Sequence, residues 1–267
     1  MNSTTKKSIG ALTVVLSVFG GVVLLGTGAA AAVAGVRGVG SDSGSLQTEA
    51  QGVTSLDLEV SAAEVTVEFR DDAAEAKLRI DGGSADGWML KRDGDELQVR
   101  GPHDGFDWFR PDWVRGDQRV TLVLPDRLSG IDADFTLQAG SLSVDGEFGE
   151  LGVNLNAGAL NLNGTARDLD AELNAGRADI DLSGVRKAEF TVNAGRIVAT
   201  LDTAPSEVAI DVSAGALDLT LPDEQYDLRQ QVSAGSLDSG LQQDPNSANR
   251  ITASVSAGTV RLHSAAD

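Results

Sequence analysis

Cysteine is absent from the 267 residues, which excludes disulfides, thiol catalysis and cysteine-held zinc. Histidine is nearly absent, with only His103 and His263. No G-x-S-x-G, H-E-x-x-H or phosphate-cradling glycine loop occurs in a suitable context, and no acidic spacing matches an EF-hand or a glycine-rich calcium coil. No catalytic residue, cofactor or metal site is therefore expected. Aromatics are few, at three Trp, one Tyr and seven Phe, so a core must be built from Ala, Val and Leu, as in a thin β-coil. Basic side chains are scarce. Lys6, Lys7 and Arg37 aside, 18 basic residues stand against 40 acidic ones, a net of −22. Such a surface repels nucleic acid and anionic lipid, so a nucleic-acid partner is excluded.

What the chain does have is a repeat. An Ala-Gly pair recurs with its glycine at 140, 158, 176, 195, 215, 235 and 258, in steps of 18 to 23 residues. Periods of this length mark stacked coils, in which each unit buries its apolar face only against its neighbours. Two residues before each alanine stands an aliphatic residue (Leu137, Leu155, Leu173, Val192, Val212, Val232, Val255), and a second column follows two after the glycine (Leu142, Leu160, Ala178, Ile197, Leu217, Leu237, Val260). Apolar residues spaced by two on either side predict two short strands with one face inward. The alternation slips at the glycine, which predicts a corner between two sheet faces. The residue before each Ala-Gly is Gln138, Asn156, Asn174, Asn193, Ser213, Ser233 or Ser256, and stacking in register would make this column a polar ladder. Ser61-Ala62-Ala63-Glu64-Val65 matches the pattern with Ala63 in the glycine position, so a first coil is expected there. In sequence order Gly176 falls in the middle of the stack and Gly258 near its end.

Residues 1–8 are polar and carry Lys6 and Lys7, and no charge occurs from Ile9 to Val36. About 20 apolar residues span a bilayer as a helix, so 9–36 is expected to be a transmembrane signal anchor. Its competitor is a cleaved signal peptide ending at Ala32-Val33-Ala34, although the apolar run exceeds the roughly 7–15 residues of a signal core. Lys6 and Lys7 against Arg37 place the N-terminus in the cytoplasm and the acidic domain outside. Residues 37–52 read as a linker, 53–130 as an N-terminal β coil with hairpins, 131–263 as the solenoid repeats and 264–267 as a tail. Within 53–130, strands flank Asp93-Gly94-Asp95, a hairpin signature, and another ends at Leu124-Pro125.

One stretch departs from this plainness. Residues 101–113 hold two of the three Trp and two of the seven Phe among Gly and Pro. As structure, they would cap the apolar end of the first coil. As function, His103, Phe106, Trp108, Phe109 and Trp113 form a candidate recognition loop, because Trp and Phe supply rigid contact area for a cell-wall glycan or a surface protein.

A membrane segment, a Ser-Ala-Ala turn, a strand ending at Leu124-Pro125 and repeated Asn/Ser-Ala-Gly-x-Leu/Ile coils resemble the bacterial, actinobacterial-type, membrane-anchored putative-adhesin β-strand-repeat family of unknown function. The resemblance covers about residues 50–263. It implies a single-stranded, right-handed β-helix-like solenoid at the cell surface with a role in adhesion or envelope sensing, and it supplies no catalytic residues. The fold class expected is thus all-β, a solenoid of about seven to eight short coils with one N-terminal transmembrane helix. The function expected is that of a non-enzymatic surface module. The alternative is a carbohydrate-active β-helix enzyme using paired surface carboxylates such as Asp179/Asp181 or Asp168/Asp170.

Overall fold

The computed structural model describes residues 43–82, 85–102 and 118–265. Strand β1 (Ser43–Thr48) precedes a first coil of β2 (Ser55–Val60) and β3 (Ala63–Arg70). The chain then runs through β4 (Ala76–Asp81), the hairpin of β5 (Met89–Asp93) and β6 (Glu96–Arg100), and β7 (Arg119–Pro125). One short 3-10 turn at Asp126–Leu128 leads into β8 (Ile131–Leu137) and the long strands β9 (Gly140–Leu155) and β10 (Ala159–Leu173). The regular part continues with β11 (Arg177–Ser183), β12 (Lys187–Val192), β13 (Arg196–Leu201), β14 (Glu207–Val212) and β15 (Ala216–Leu221). It closes with β16 (Gln225–Val232), β17 (Ser236–Ser239), β18 (Gln242–Gln243), β19 (Arg250–Val255) and β20 (Thr259–Ser264).

Apart from β1, β4, β5 and the two-residue β18, these strands pair in parallel into two ladders. One face runs β6, β2, β8, the second half of β9, the second half of β10, β12, β14, β19 and β16. The other runs β7, β3, the first half of β9, the first half of β10, β11, β13, β15, β20 and β17. Inward residues alternate along every regular strand, as in the iBiBiB pattern of β15, and join one continuous aliphatic core. The predicted columns are the observed registers, with Leu137 opposite Leu155, Leu173 opposite Val192 and Val192 opposite Val212.

The corners are built as the slip in alternation requires. Gly140, Gly158, Gly176 and Gly195 have φ between +104° and +117°, which disfavours any side chain, and a Cβ at each would strike the backbone of the corner beneath. At Gly158 that backbone is Gly140, and at Gly140 it is Ala63, so Ala63 does occupy the first corner. Beside these corners the polar ladder forms: Asn193 Nδ2 donates to Asn174 Oδ1 at 2.8 Å, and Asn174 Nδ2 to Asn156 Oδ1 at 3.2 Å. Where serine replaces asparagine, at Ser213, Ser233 and Ser256, the following glycines are absent from the positive-φ set. The ladder thus spans three of the four positive-φ corners and ends where that geometry ends.

Three expectations need correction. First, rung order departs from chain order at both ends of the stack. Strand β14 pairs with β19, and β19 with β16, so the last coil in sequence lies between its two predecessors. The outermost rung is β16/β17, and Gly258 is an interior corner, its neighbour Gly215 on one side and Gly235 on the other. At the other end β6/β7 lies outside β2/β3, which is held between it and β8/β9. Second, the described residues make nine rungs rather than seven to eight, because these outer rungs add to the regular ones. Third, the all-β class stands, but its transmembrane helix does not: among the described residues no helix is long and apolar enough to cross a membrane. The 9–36 stretch to which that helix was assigned lies outside the described residues.

Each end is finished differently. At the first, β4 is antiparallel to β7, β1 antiparallel to β4, and β5 antiparallel to β6, so the ladder no longer presents parallel strands to solvent. At the other, the inward positions of β16/β17 hold Gln230 and Ser239 beside the partly buried Leu228 and Leu237, as a capping repeat does. Between Leu221 and Gln225 the chain steps over one rung, about 10 Å at the usual strand spacing. Tyr226 is fully buried at the far side of that step, and its hydroxyl donates to the Pro222 carbonyl at 3.1 Å.

Candidate functional site

The five residues of the candidate recognition loop, His103, Phe106, Trp108, Phe109 and Trp113, fall within 103–117, outside the described residues. The two ends of that loop are described, and they place its attachment. Strand β6 belongs to one face and β7 to the other, so the chain from Gly101 to Gln118 makes the same passage that Ser61-Ala62 makes one rung in. The sequence places this stretch apart from the repeat; its described ends, Gly101-Pro102 and Gln118, join the two strands of the outermost rung.

Both stems are pinned to the rung beneath. The Gly101 amide donates to the Glu59 carbonyl at 2.8 Å, and the Glu64 amide donates to the Gln118 carbonyl at 3.1 Å. Trp88 is buried against the first stem, its ring so close to Gly101 that a Cβ there would stand 3.4 Å from it. Pro102 in turn lies on Gly87, whose φ of +85° places the backbone close beneath the proline ring. These contacts fix where the loop begins, and Trp88 is a further residue of the site beyond the five of the candidate loop. Its signal was present: a lone Trp directly after Asp86-Gly87, in a chain with few aromatics.

The second feature is electrostatic. On the outer side of the face that begins with β6, register aligns Asp57, Asp134, Gly152, Asp170 and Glu189 in one column. Partial burial raises the Asp134 carboxyl above its usual range, and repulsion from Asp57, Asp132 and Asp170 adds to this. Burial raises Asp170 likewise, with Glu189 and Glu172 contributing. Both side chains still reach solvent, so the upward pull is a surface effect. Arg100 closes the column at one end, forking onto Asp57 at 2.8 and 2.6 Å and reaching Glu59 at 3.1 Å. At the other end Arg229 holds the buried Asp227 at 2.8 Å.

The carboxylate pairs considered for glycoside chemistry are differently occupied. Asp179 accepts from Nε and Nη2 of Arg177 at 2.8 and 2.9 Å, and this hydrogen bonding lowers its pKa, the reverse of what a general acid needs. Asp168 is bonded by Arg167 at 2.9 Å. Asp134 and Asp170 flank Gly152 two rungs apart, roughly 10 Å at the usual strand spacing. They lie in a ladder along a sheet face, each beside further acids. His263 is on the opposite face, paired with Thr220. Among the described residues no group of three His, Asp or Glu side chains is arranged to hold a metal ion.

No family model matches the sequence, and no curated protein matches it. Solved structures do. A putative cell adhesion protein from Clostridium sporogenes is 10% identical, covers 84% of this chain and 99% of its own, and has a TM-score of 0.40. A putative adhesin from Bacteroides fragilis is 12% identical over 82% of this chain and 96% of its own, with a TM-score of 0.42. A putative adhesin from Parabacteroides merdae is 13% identical over 86% and 99%, at 0.37. The chain is thus similar, at low identity, to bacterial proteins described as adhesins.

Proposed function

We propose that the protein is a non-enzymatic module of the bacterial cell surface, a stiff β-solenoid that presents the 103–117 loop to a cell-wall glycan or a surface protein. In this reading the solenoid stands outside the cell, the stretch 9–36 holds it to the membrane, and the N-terminus stays in the cytoplasm. The observation that carries the reading is the attachment of the loop. Its stems are bonded to Glu59 and Glu64 of a rung that is itself held on both sides. The end of the stack is meanwhile covered by β1, β4 and β5. The core at that end is thus finished without the loop, and this supports a role in contact for its Trp and Phe residues. Aromatic anchors on a rigid scaffold lose little entropy on binding.

The test is retention of the purified full-length protein on cell-wall material. Trp108→Ala with Trp113→Ala is expected to reduce retention at least tenfold while the melting temperature stays within about 2 °C. Unchanged retention would remove the loop from the function. Loss of folding in the same variant would make the loop a cap instead.

A further inference from the structure

Away from the loop, at the other end of β7, a cavity of about 280 Å3 opens on the outer side of the β4 and β7 strands. Its floor is Val123, which by strand parity points outward with Lys77 and Glu68 yet is only 5% exposed. Its lining includes Arg70, Lys77 and Arg79, together with Asp72 and Glu75 from the turn between β3 and β4. Arg70 is taken by Glu68 at 2.9 Å. That leaves two cations on the strand and two acids on the turn. No ion pair or hydrogen bond of the described structure engages Lys77, Arg79, Asp72 or Glu75 through its side chain. Arg100, Arg167, Arg177 and Arg196 each pair with an acid, whereas Lys77 and Arg79 share with Arg186 and Lys187 the lack of one among the described residues. The turn is not free to collapse onto the strand, because Arg127 Nη2 donates to the Ala74 carbonyl at 2.7 Å.

We propose that this cavity binds a small zwitterionic unit, an oxyanion joined to an ammonium a few bonds away, such as a peptide end or an ethanolamine phosphodiester. Lys77 and Arg79, about 7 Å apart at one strand repeat, take the oxyanion. Asp72 and Glu75 take the ammonium, and Val123 supports the carbon chain between them. A simple anion meets the two acids, and a simple cation meets the two bases, so only a ligand carrying both charges is attracted throughout. Of the nearby carboxylates Glu68 is neutralised by Arg70, and those farther than a Debye length of about 8 Å are screened at physiological salt. The volume is just under the roughly 300–1,000 Å3 of pockets that enclose whole small molecules, which limits the occupant to one compact unit.

The experiment titrates the full-length protein, followed by amide NMR, with dialanine, glycerophosphoethanolamine, acetate and ethylamine at constant ionic strength. Saturable shifts across 72–79 and at Val123 are expected with at least one zwitterion, and which of the two binds distinguishes a peptide source from a phospholipid-type head group. Lys77→Gln and Glu75→Gln should each weaken that binding at least fivefold, with melting unchanged, while Trp108→Ala leaves it intact. The proposal is overturned if acetate or ethylamine binds as tightly as the zwitterions, if nothing saturates by 100 mM (roughly the millimolar range of weak sites), or if both variants bind as the parent does. The site shares no residue with the 103–117 loop, so either can fail alone.

Discussion

Val212 of β14 is paired in register with Val255 of β19, and Val255 in turn with Val232 of β16. The second valine of this series in the chain is the third in space. The exposures follow the spatial order: Val212 and Val255 are buried, whereas Val232 is 39% exposed. A rung's contribution to stability is set by whether it has neighbours on both sides.

Leu262 and Leu237 test that order. Leu262 is 1% exposed in the interior rung, and Leu237 is only partly buried in the outer one. Leu262→Ala should cost about 2–5 kcal/mol, as for a cavity in a packed core, and Leu237→Ala less than about 1.5 kcal/mol. Urea denaturation of the two variants measures both. Equal losses, or a larger loss at Leu237, would restore chain order to the stack.

The glycine corners give a second test. At Gly176 a side chain meets both φ of +114° and the Gly158 backbone. At Gly258 it meets the Gly215 backbone and Val212, and at Gly235 the Gly258 backbone and Val255, but with an open rung edge beyond. Gly176→Val and Gly258→Val should both lower the melting temperature strongly, the strained φ alone costing about 1–3 kcal/mol at Gly176. Gly235→Val should lower it least, since the outer rung can move away. Calorimetric melting ranks the three.

Asn174 stands in the middle of the polar ladder, donating to Asn156 and accepting from Asn193. Removing it strands a donor and an acceptor at part-buried positions. Asn174→Ala is expected to cost about 1–3 kcal/mol. Ser213→Ala, where no side-chain bond to the neighbouring corners forms among the described residues, should cost under about 0.5 kcal/mol. Chemical denaturation of both variants distinguishes a bonded ladder from a row of small polar residues.

The carboxylates predict opposite responses to acid. Asp134 and Asp170 have folded-state pKa values raised by burial and by neighbouring acids, so the fold disfavours their charged form. Their repulsion is present at neutral pH and is relieved as pH falls through the raised values. Asp134→Asn should therefore raise the melting temperature at pH 7 and have no effect near pH 3, where the parent carboxyl is already neutral. At Asp218 burial pulls upward, but hydrogen bonds from Arg196 and Arg261 outweigh it and lower the pKa. Its stabilisation is present at neutral pH and is lost as pH falls through the lowered value, so Asp218→Asn should reduce stability at pH 7. Melting curves across pH 3 to 7 (the range in which carboxylates titrate, roughly) read both signs.

The aliphatic columns, the corner, the first coil at Ala63 and the asparagine ladder were legible because each follows from the local spacing of residues that the stack repeats. Rung order was not legible, because coils with the same column pattern accept one another as neighbours in any order. Two signals bore on it. The step from Gly235 to Gly258 is the longest, and Ser239 and Gln230 are polar at inward positions, as suits a rung covered on one side only. At the first end the pairing of β6 with β7 as one rung was hidden by the length between them: residues 101–118 contain no Ala-Gly pair, so the two did not read as halves of one coil. The cavity was invisible for a different reason. Lys77, Arg79, Asp72 and Glu75 look like ordinary surface charges until the turn between β3 and β4 brings them around Val123.

The placement of β19 and β20 inside the stack has a consequence for how the chain is made. Residues 225–239 emerge from the ribosome before residues 250–264, yet their native partners are those later strands. When β16 and β17 first appear, the free edges of β14 and β15 are the only matching ones on offer, and the columns suit them. The final coil must then claim those edges for itself, either by displacing an early pairing or by arriving before it forms. The outer rung cannot reach its native place until residues 250–264 have entered between it and β14/β15.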